Sequence, residues 1–129
     1  MTAPRACRGT ALAAAGLLAV AGCAGAPVAP GAAKVVHGLV LGGFASHEEC
    51  LRATEGDRID YTFDSTEPVR FGLRYREGGA SVFPVEHEAT RAHSGVFAAR
   101  LDRDYCLTWE AGTSGAVLDY RVRRRAAGE

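Results

Sequence analysis

Residues 57–64, DRIDYTFD, decide the fold of this chain. Every second residue from Ile59 to Phe63 is apolar, which is the period of a strand that buries one face. Residues 69–76, VRFGLRYR, alternate in the same way. Residues 65–68 between them, STEP, combine residue types that favour a turn. The two runs therefore predict neighbouring strands of an antiparallel sheet.

Similar runs continue on both sides of this pair. Further strands are predicted, in chain order, at residues 35–41, 47–54, 81–86, 95–101, 105–110 and 118–123. Glu77-Gly78-Gly79 predicts a turn, and Pro84 marks its strand as an edge strand or a bulge. No window with helical periodicity competes. Seven or eight short strands with frequent turns predict an all-β, antiparallel two-sheet sandwich, as in immunoglobulin-like domains.

The alternating positions also predict the core of that sandwich. The predicted core consists of Ile59, Tyr61, Phe63, Phe71, Leu73, Tyr75, Phe97, Tyr105, Leu107, Trp109, Leu118 and Tyr120. Burial of each large side chain is worth about 1.5–3 kcal/mol, which offsets the chain entropy of a domain of this size.

Residues 1–22 have the organisation of a secretory signal. Arg5 and Arg8 give a positive start, and residues 11–21 form an uncharged, mostly apolar run. A membrane-spanning helix needs roughly 20 apolar residues, so this run suits the central region of a signal peptide better.

The end of the signal, Val20-Ala21-Gly22-Cys23, resembles the lipobox of bacterial lipoproteins. The resemblance implies that the Cys23 thiol receives a diacylglycerol and that fatty acyl chains such as palmitate anchor the protein to the cell envelope. In a Gram-negative cell, Ala24 is compatible with sorting to the outer membrane. The alternative is ordinary cleavage after Ala21 or Ala26, which would give a secreted or periplasmic protein.

Residues 23–34, CAGAPVAPGAAK, are rich in Ala, Gly and Pro and predict a flexible tether. Fully extended, these residues span at most about 40 Å, so the folded part would stay close to the bilayer. Residues 35–125 are expected to form the sandwich, and residues 126–129 a short disordered tail.

The chain has 4 cysteines. Cys7 leaves with the signal and Cys23 carries the lipid, so Cys50 and Cys106 remain in an oxidising compartment. We therefore expect a disulfide between these two. A catalytic thiol or a metal site is the alternative, although the sequence has no CxxC motif or Cys–His cluster.

Between Cys50 and Val122 the order of features resembles the GOLD (Golgi dynamics) β-sandwich. The shared features are Cys50-Leu51, Gly56-Asp57, Gly95-Val96-Phe97-Ala98-Ala99, and Tyr105 leading into Trp109. The resemblance implies a disulfide-linked sandwich that binds partners. Cys106 stands one residue after Tyr105 instead of three, and Ala111 replaces an expected asparagine. The membrane helix and coiled coil of the GOLD receptors are also absent, so cargo sorting does not carry over.

Two sets of polar residues are candidate sites. Arg70, Arg74 and Arg76 share one strand face and could bind anionic lipid headgroups or polysaccharide, with Arg123-Arg124-Arg125 as an extension. The alternative is that Asp60 and Asp64 neutralise the arginines across strands. The second set, Glu86, His87 and His93, could bind a metal ion. The alternative there is that the histidines are simply solvated.

Composition narrows the function further. The chain has 15 Lys+Arg against 15 Asp+Glu, which is untypical of a nucleic-acid-binding protein. No nucleophile elbow or phosphate-binding loop is present. The sequence therefore predicts a non-enzymatic, lipid-anchored binding module without a cofactor, whose partner is an envelope protein, a polysaccharide or a lipid headgroup.

Overall fold

The computed structural model describes residues 31–129, so the predicted signal and Cys23 lie outside the described residues. Residues 31–129 form an all-β structure of six antiparallel strands. The strands are β1 Ala33–Leu41, β2 Ser46–Ala53, β3 Arg58–Glu77, β4 Ala80–Ala98, β5 Arg103–Ala111 and β6 Ala116–Arg125. None of the described residues belongs to a helix that could cross a membrane. The predicted all-β, antiparallel class is confirmed, but the predicted number of strands is too high.

Two long strands account for the lower number. β3 contains both alternating runs, and residues 65–68 do not form the predicted turn but continue the strand through a shift in register. β4 contains the predicted strand at residues 81–86 and most of that at residues 95–101. β3 and β4 form one hairpin around the turn at Gly78 and Gly79, where both glycines have positive φ.

The strands form a single sheet with the order β1-β6-β3-β5-β2, and β4 pairs with the other side of β3. β6 pairs with the first half of β3, at residues 58–65, and β5 pairs with the second half, at residues 69–74. The long strand β3 therefore joins two parts of one continuous sheet, and the predicted division into two separate sheets is not found.

A bend in β3 creates the core. The rings of Tyr61 and Phe71 are 5.2 Å apart, although ten residues of a straight strand would separate them by about 33 Å. The sheet is therefore curled so that one face of its first part packs against the same face of its second part. Pro68, which has no N–H donor, lies at the bend. Thr66 also interrupts the ladder there, because its hydroxyl accepts the N–H of Val117 at 2.9 Å.

The predicted core residues fill the space inside this curl. All are buried except Tyr75 and Phe97, which pack against the core but stay partly exposed. Val69 and Leu41 are buried as well.

Two local predictions are also confirmed. Cys50 and Cys106 lie directly opposite each other on β2 and β5 and form a disulfide. Pro84 lies on β4, which among the strands of residues 31–129 pairs with β3 alone, at a point where the register shifts between Leu73 and Tyr75. An edge strand with a bulge tolerates proline because neither position requires its missing N–H.

Candidate binding surfaces

The predicted arginine patch on β3 is largely neutralised. Arg70 donates to Glu86 at 2.9 Å, and Arg74 donates to both carboxylate oxygens of Glu48 at 2.7 and 2.9 Å. The partners are thus glutamates on β4 and β2, and not the aspartates that the sequence suggested. Arg76 is exposed and has no ion-pair partner among the described residues. Arginines whose charge is already compensated are poor candidates for an anion site.

The predicted metal ligands are only partly brought together. His87 and His93 both lie on β4, with ring centroids 4.1 Å apart, and both lie over Phe71. Glu86 points to the opposite face of the strand, where it accepts from Arg70. Two histidines without a third ligand do not form a closed metal site.

The two histidines instead cover the open side of the core. His93 Nε2 lies 3.2 Å from the hydroxyl oxygen of Tyr61. Burial is the larger cause that lowers the pKa of His93 below its usual value, and electrostatic repulsion by His87 is the smaller one. The lowered pKa favours the neutral form of His93, in keeping with its position over an aromatic core.

Among the described residues, one group of three potential metal ligands lies within coordination distance, namely Glu48, Cys50 and Cys106. Both cysteines are consumed by the disulfide. This group therefore has no thiolate to offer a metal ion.

The loop between β1 and β2, residues 42–45, presents an exposed aromatic side chain. Phe44 is 71% exposed and has a φ of 59°. A bulky residue in the left-handed region costs of order 1–3 kcal/mol and persists only where the surroundings impose it. We call this segment the Phe44 loop.

Backbone contacts with the β5–β6 turn hold the Phe44 loop in place. The N–H of Phe44 donates to the Gly112 carbonyl at 3.0 Å, and the N–H of Ala111 donates to the Ala45 carbonyl at 2.9 Å. A Cβ on Gly43 would lie 2.6 Å from the Thr113 carbonyl oxygen, so only glycine permits this close approach. The loop is thus a rigid platform that holds the Phe44 ring in solvent.

Sequence reasoning did not identify the Phe44 loop. The signal that would have found it is Gly42-Gly43-Phe44-Ala45, in which a large aromatic residue interrupts a run of small ones between two strands. Turn positions favour small and polar residues, so an aromatic residue there needs another reason.

The outer face of the β1–β6–β3–β4 part of the sheet carries a second surface. Its exposed valines are Val35, Val40, Val96 and Val117, and its arginines are Arg121, Arg123 and Arg125. We call these residues the Val/Arg face. Of the seven large apolar residues that are exposed in the described part of the chain, four belong to it.

The arginines of this face border a hollow of about 470 Å³. Asp60 in the hollow accepts from Arg125 at 2.9 Å and lies 4.0 Å from Arg123 Nε. Arg121 has no ion-pair partner among the described residues. Arg124, part of the predicted patch, points elsewhere and donates to the buried Asp57 at 3.4 Å. The hollow therefore keeps a positive charge that Asp60 does not cancel.

No family model matches the chain, and no curated protein matches it. Among solved structures, the chain is similar to the crystal structure of Aeromonas hydrophila PliG, a periplasmic lysozyme inhibitor of g-type lysozyme. The TM-score is 0.54 at 12% sequence identity, and the alignment covers 74% of this chain and 88% of that chain. At this identity the similarity shows a common fold and leaves the function open.

Proposed function

We propose that this chain is a non-enzymatic binding module of the cell envelope that docks onto a protein through the Phe44 loop. The observation that carries the proposal is Phe44 itself, a large apolar side chain held in solvent by a strained and well-supported backbone. Strain of this kind is typically kept where it serves function. A rigid loop also loses little conformational freedom on binding, which favours affinity.

The chemistry of the loop favours a partner with a concave surface. Residues 42–45 and 112–115 are uncharged, so their burial in a cleft leaves no unpaired charge. The substrate cleft of an enzyme that cleaves cell-wall glycan is a concave surface that is open to solvent, so a protein loop can enter it. Because the similar fold of PliG belongs to an inhibitor of g-type lysozyme, a g-type lysozyme is the first partner to test.

We expect the wild-type protein to bind a g-type lysozyme and to slow its lysis of cell walls, and Phe44→Ser to weaken binding at least about 30-fold. An aromatic anchor that enters a pocket is the kind of residue that dominates an interface. Calorimetric titration gives the dissociation constants, and the decrease in turbidity of a cell-wall suspension gives the inhibition.

The matched control is Phe83→Ser, which removes another exposed phenylalanine from a different surface. Both variants must keep the thermal unfolding midpoint close to that of the wild type. Equal affinity of Phe44→Ser and the wild type would contradict the docking role. Failure of the wild type to bind a g-type lysozyme would contradict the proposed partner.

We further propose that acyl chains on Cys23 anchor the module to the membrane. The lipobox-like Val20-Ala21-Gly22-Cys23 supports this, and the Cys50–Cys106 disulfide fits an exported protein. The intact mass of the mature protein should correspond to a chain that begins at Cys23 and carries a diacylglycerol. A mature chain that begins at Ala24 or later would contradict the anchor.

A further inference from the structure

We infer that the Val/Arg face lies against an anionic phospholipid surface and orients the module on the membrane. This inference rests on the proposed envelope function, because it needs a membrane beside the folded domain. It concerns a different surface from the Phe44 loop, so the two can be tested separately.

The position of the chain entry is the first argument. The described fold begins with β1, in which Ala33 lies opposite Arg123 and Val35 lies opposite Arg121. The segment that leads back towards Cys23 therefore joins the fold at the edge of the Val/Arg face. The ten residue-to-residue steps from Cys23 to Ala33 span at most about 35 Å when extended. A lipid on Cys23 would therefore attach the domain to the bilayer at the edge of this face.

The charge distribution is the second argument. Near the chain entry the face carries Arg58, Arg121, Arg123 and Arg125 against the carboxylate of Asp60, and the carboxylate of Glu129 also lies close to Arg125. Asp64 and Asp119 lie opposite each other on the same face, two positions further along the strands than Thr62 and Arg121, and their negative charges stand on the side away from the chain entry. The end next to the tether is thus positive although the whole chain is neutral, which matches the negative charge of lipid phosphates.

The valines are the third argument. Val35 and Val96 are 49% and 61% exposed and flank the arginines across the strands. The face thus offers valine side chains that can enter the boundary between headgroups and acyl chains, and next to them guanidinium groups that can bind the lipid phosphates. A row that continues from Arg121 adds the hydroxyls of Thr62 and Ser94, which lie 2.6 Å apart. One of these hydroxyls donates to the other, which leaves one O–H to donate to a phosphate.

The test uses the mature chain from residue 23 with Cys23→Ser, which contains every described strand but no acyl chain. We expect it to float with vesicles of phosphatidylcholine and phosphatidylglycerol and not with vesicles of phosphatidylcholine alone. The double variant Arg121→Gln/Arg123→Gln should lower the partition coefficient about 25-fold, since each arginine near an anionic surface contributes about fivefold. High salt should release the wild type.

The matched control is Arg76→Gln/Arg100→Gln, which removes the same charge from exposed positions outside the face. It should keep most of the binding. Equal losses in the two double variants, or no binding by the wild type, would overturn the inference. So would an Arg121→Gln/Arg123→Gln variant that keeps vesicle binding but loses lysozyme binding, because the face would then be a protein interface. Lysozyme binding by the wild type in the absence of vesicles tests the proposed function independently.

Discussion

Replacement of Phe71 by alanine is expected to lower the free energy of unfolding by about 3–5 kcal/mol. Phe71 is fully buried at the place where the two parts of the curled sheet meet. Its ring lies 4.8 Å from Phe63, which is on the other half of the same strand, and 5.7 Å from Trp109 on β5. Truncation would leave a cavity between the two layers that rigid strands cannot close. For a domain whose total stability is about 5–15 kcal/mol, this is a large fraction.

Urea unfolding, followed by the fluorescence of Trp109 with the disulfide intact, measures the effect. Phe44→Ala is the matched control, because it removes the same atoms from a ring that is 71% exposed. We expect that control to change stability by no more than about 0.5 kcal/mol. Similar losses in the two variants would mean that the core does not lie between the two halves of β3.

The sequence was sufficient to predict the buried face of each strand. Alternation at Ile59, Tyr61 and Phe63, and again at Leu118 and Tyr120, requires nothing beyond the local pattern. Neither the bend nor the length of β3 could be read in this way. Residues 65–68 look like a turn, but their neighbours pair with β6 before the bend and β5 after it. Long-range pairing thus overrides the local preference.

The candidate sites were harder to predict for the same reason. Which carboxylate faces Arg70 or Arg74 depends on the register of β3 with β4 and of β5 with β2. The neighbouring positions Glu86 and His87 point to opposite faces, so proximity in sequence was misleading for the metal hypothesis. The exposure of the Phe44 side chain depends on the conformation of its loop, which the hydrophobic periodicity of a sequence does not report.

Replacement of both Cys50 and Cys106 by alanine is expected to destabilise the domain by about 2–5 kcal/mol. The disulfide links residues with a sequence separation of 56, and it ties down β2, which lies at the edge of the sheet and pairs with β5. Without the link the unfolded chain gains conformational freedom, and the edge strand depends on one ladder of hydrogen bonds. Thermal unfolding of the wild type with and without reductant should show the same loss as the double variant.

A neighbouring pair on the same two strands supplies the control. Arg52 and Asp104 lie opposite each other, two positions along the strands from the disulfide. Arg52 Nη1 is 3.6 Å from Asp104 Oδ1, and the two side chains are 59% and 73% exposed. Their joint replacement by alanine should cost no more than about 1 kcal/mol, because an exposed ion pair contributes little. If this pair proved as important as the disulfide, the ladder and not the covalent link would hold β2. The same conclusion would follow if reductant left the thermal unfolding midpoint of the wild type unchanged.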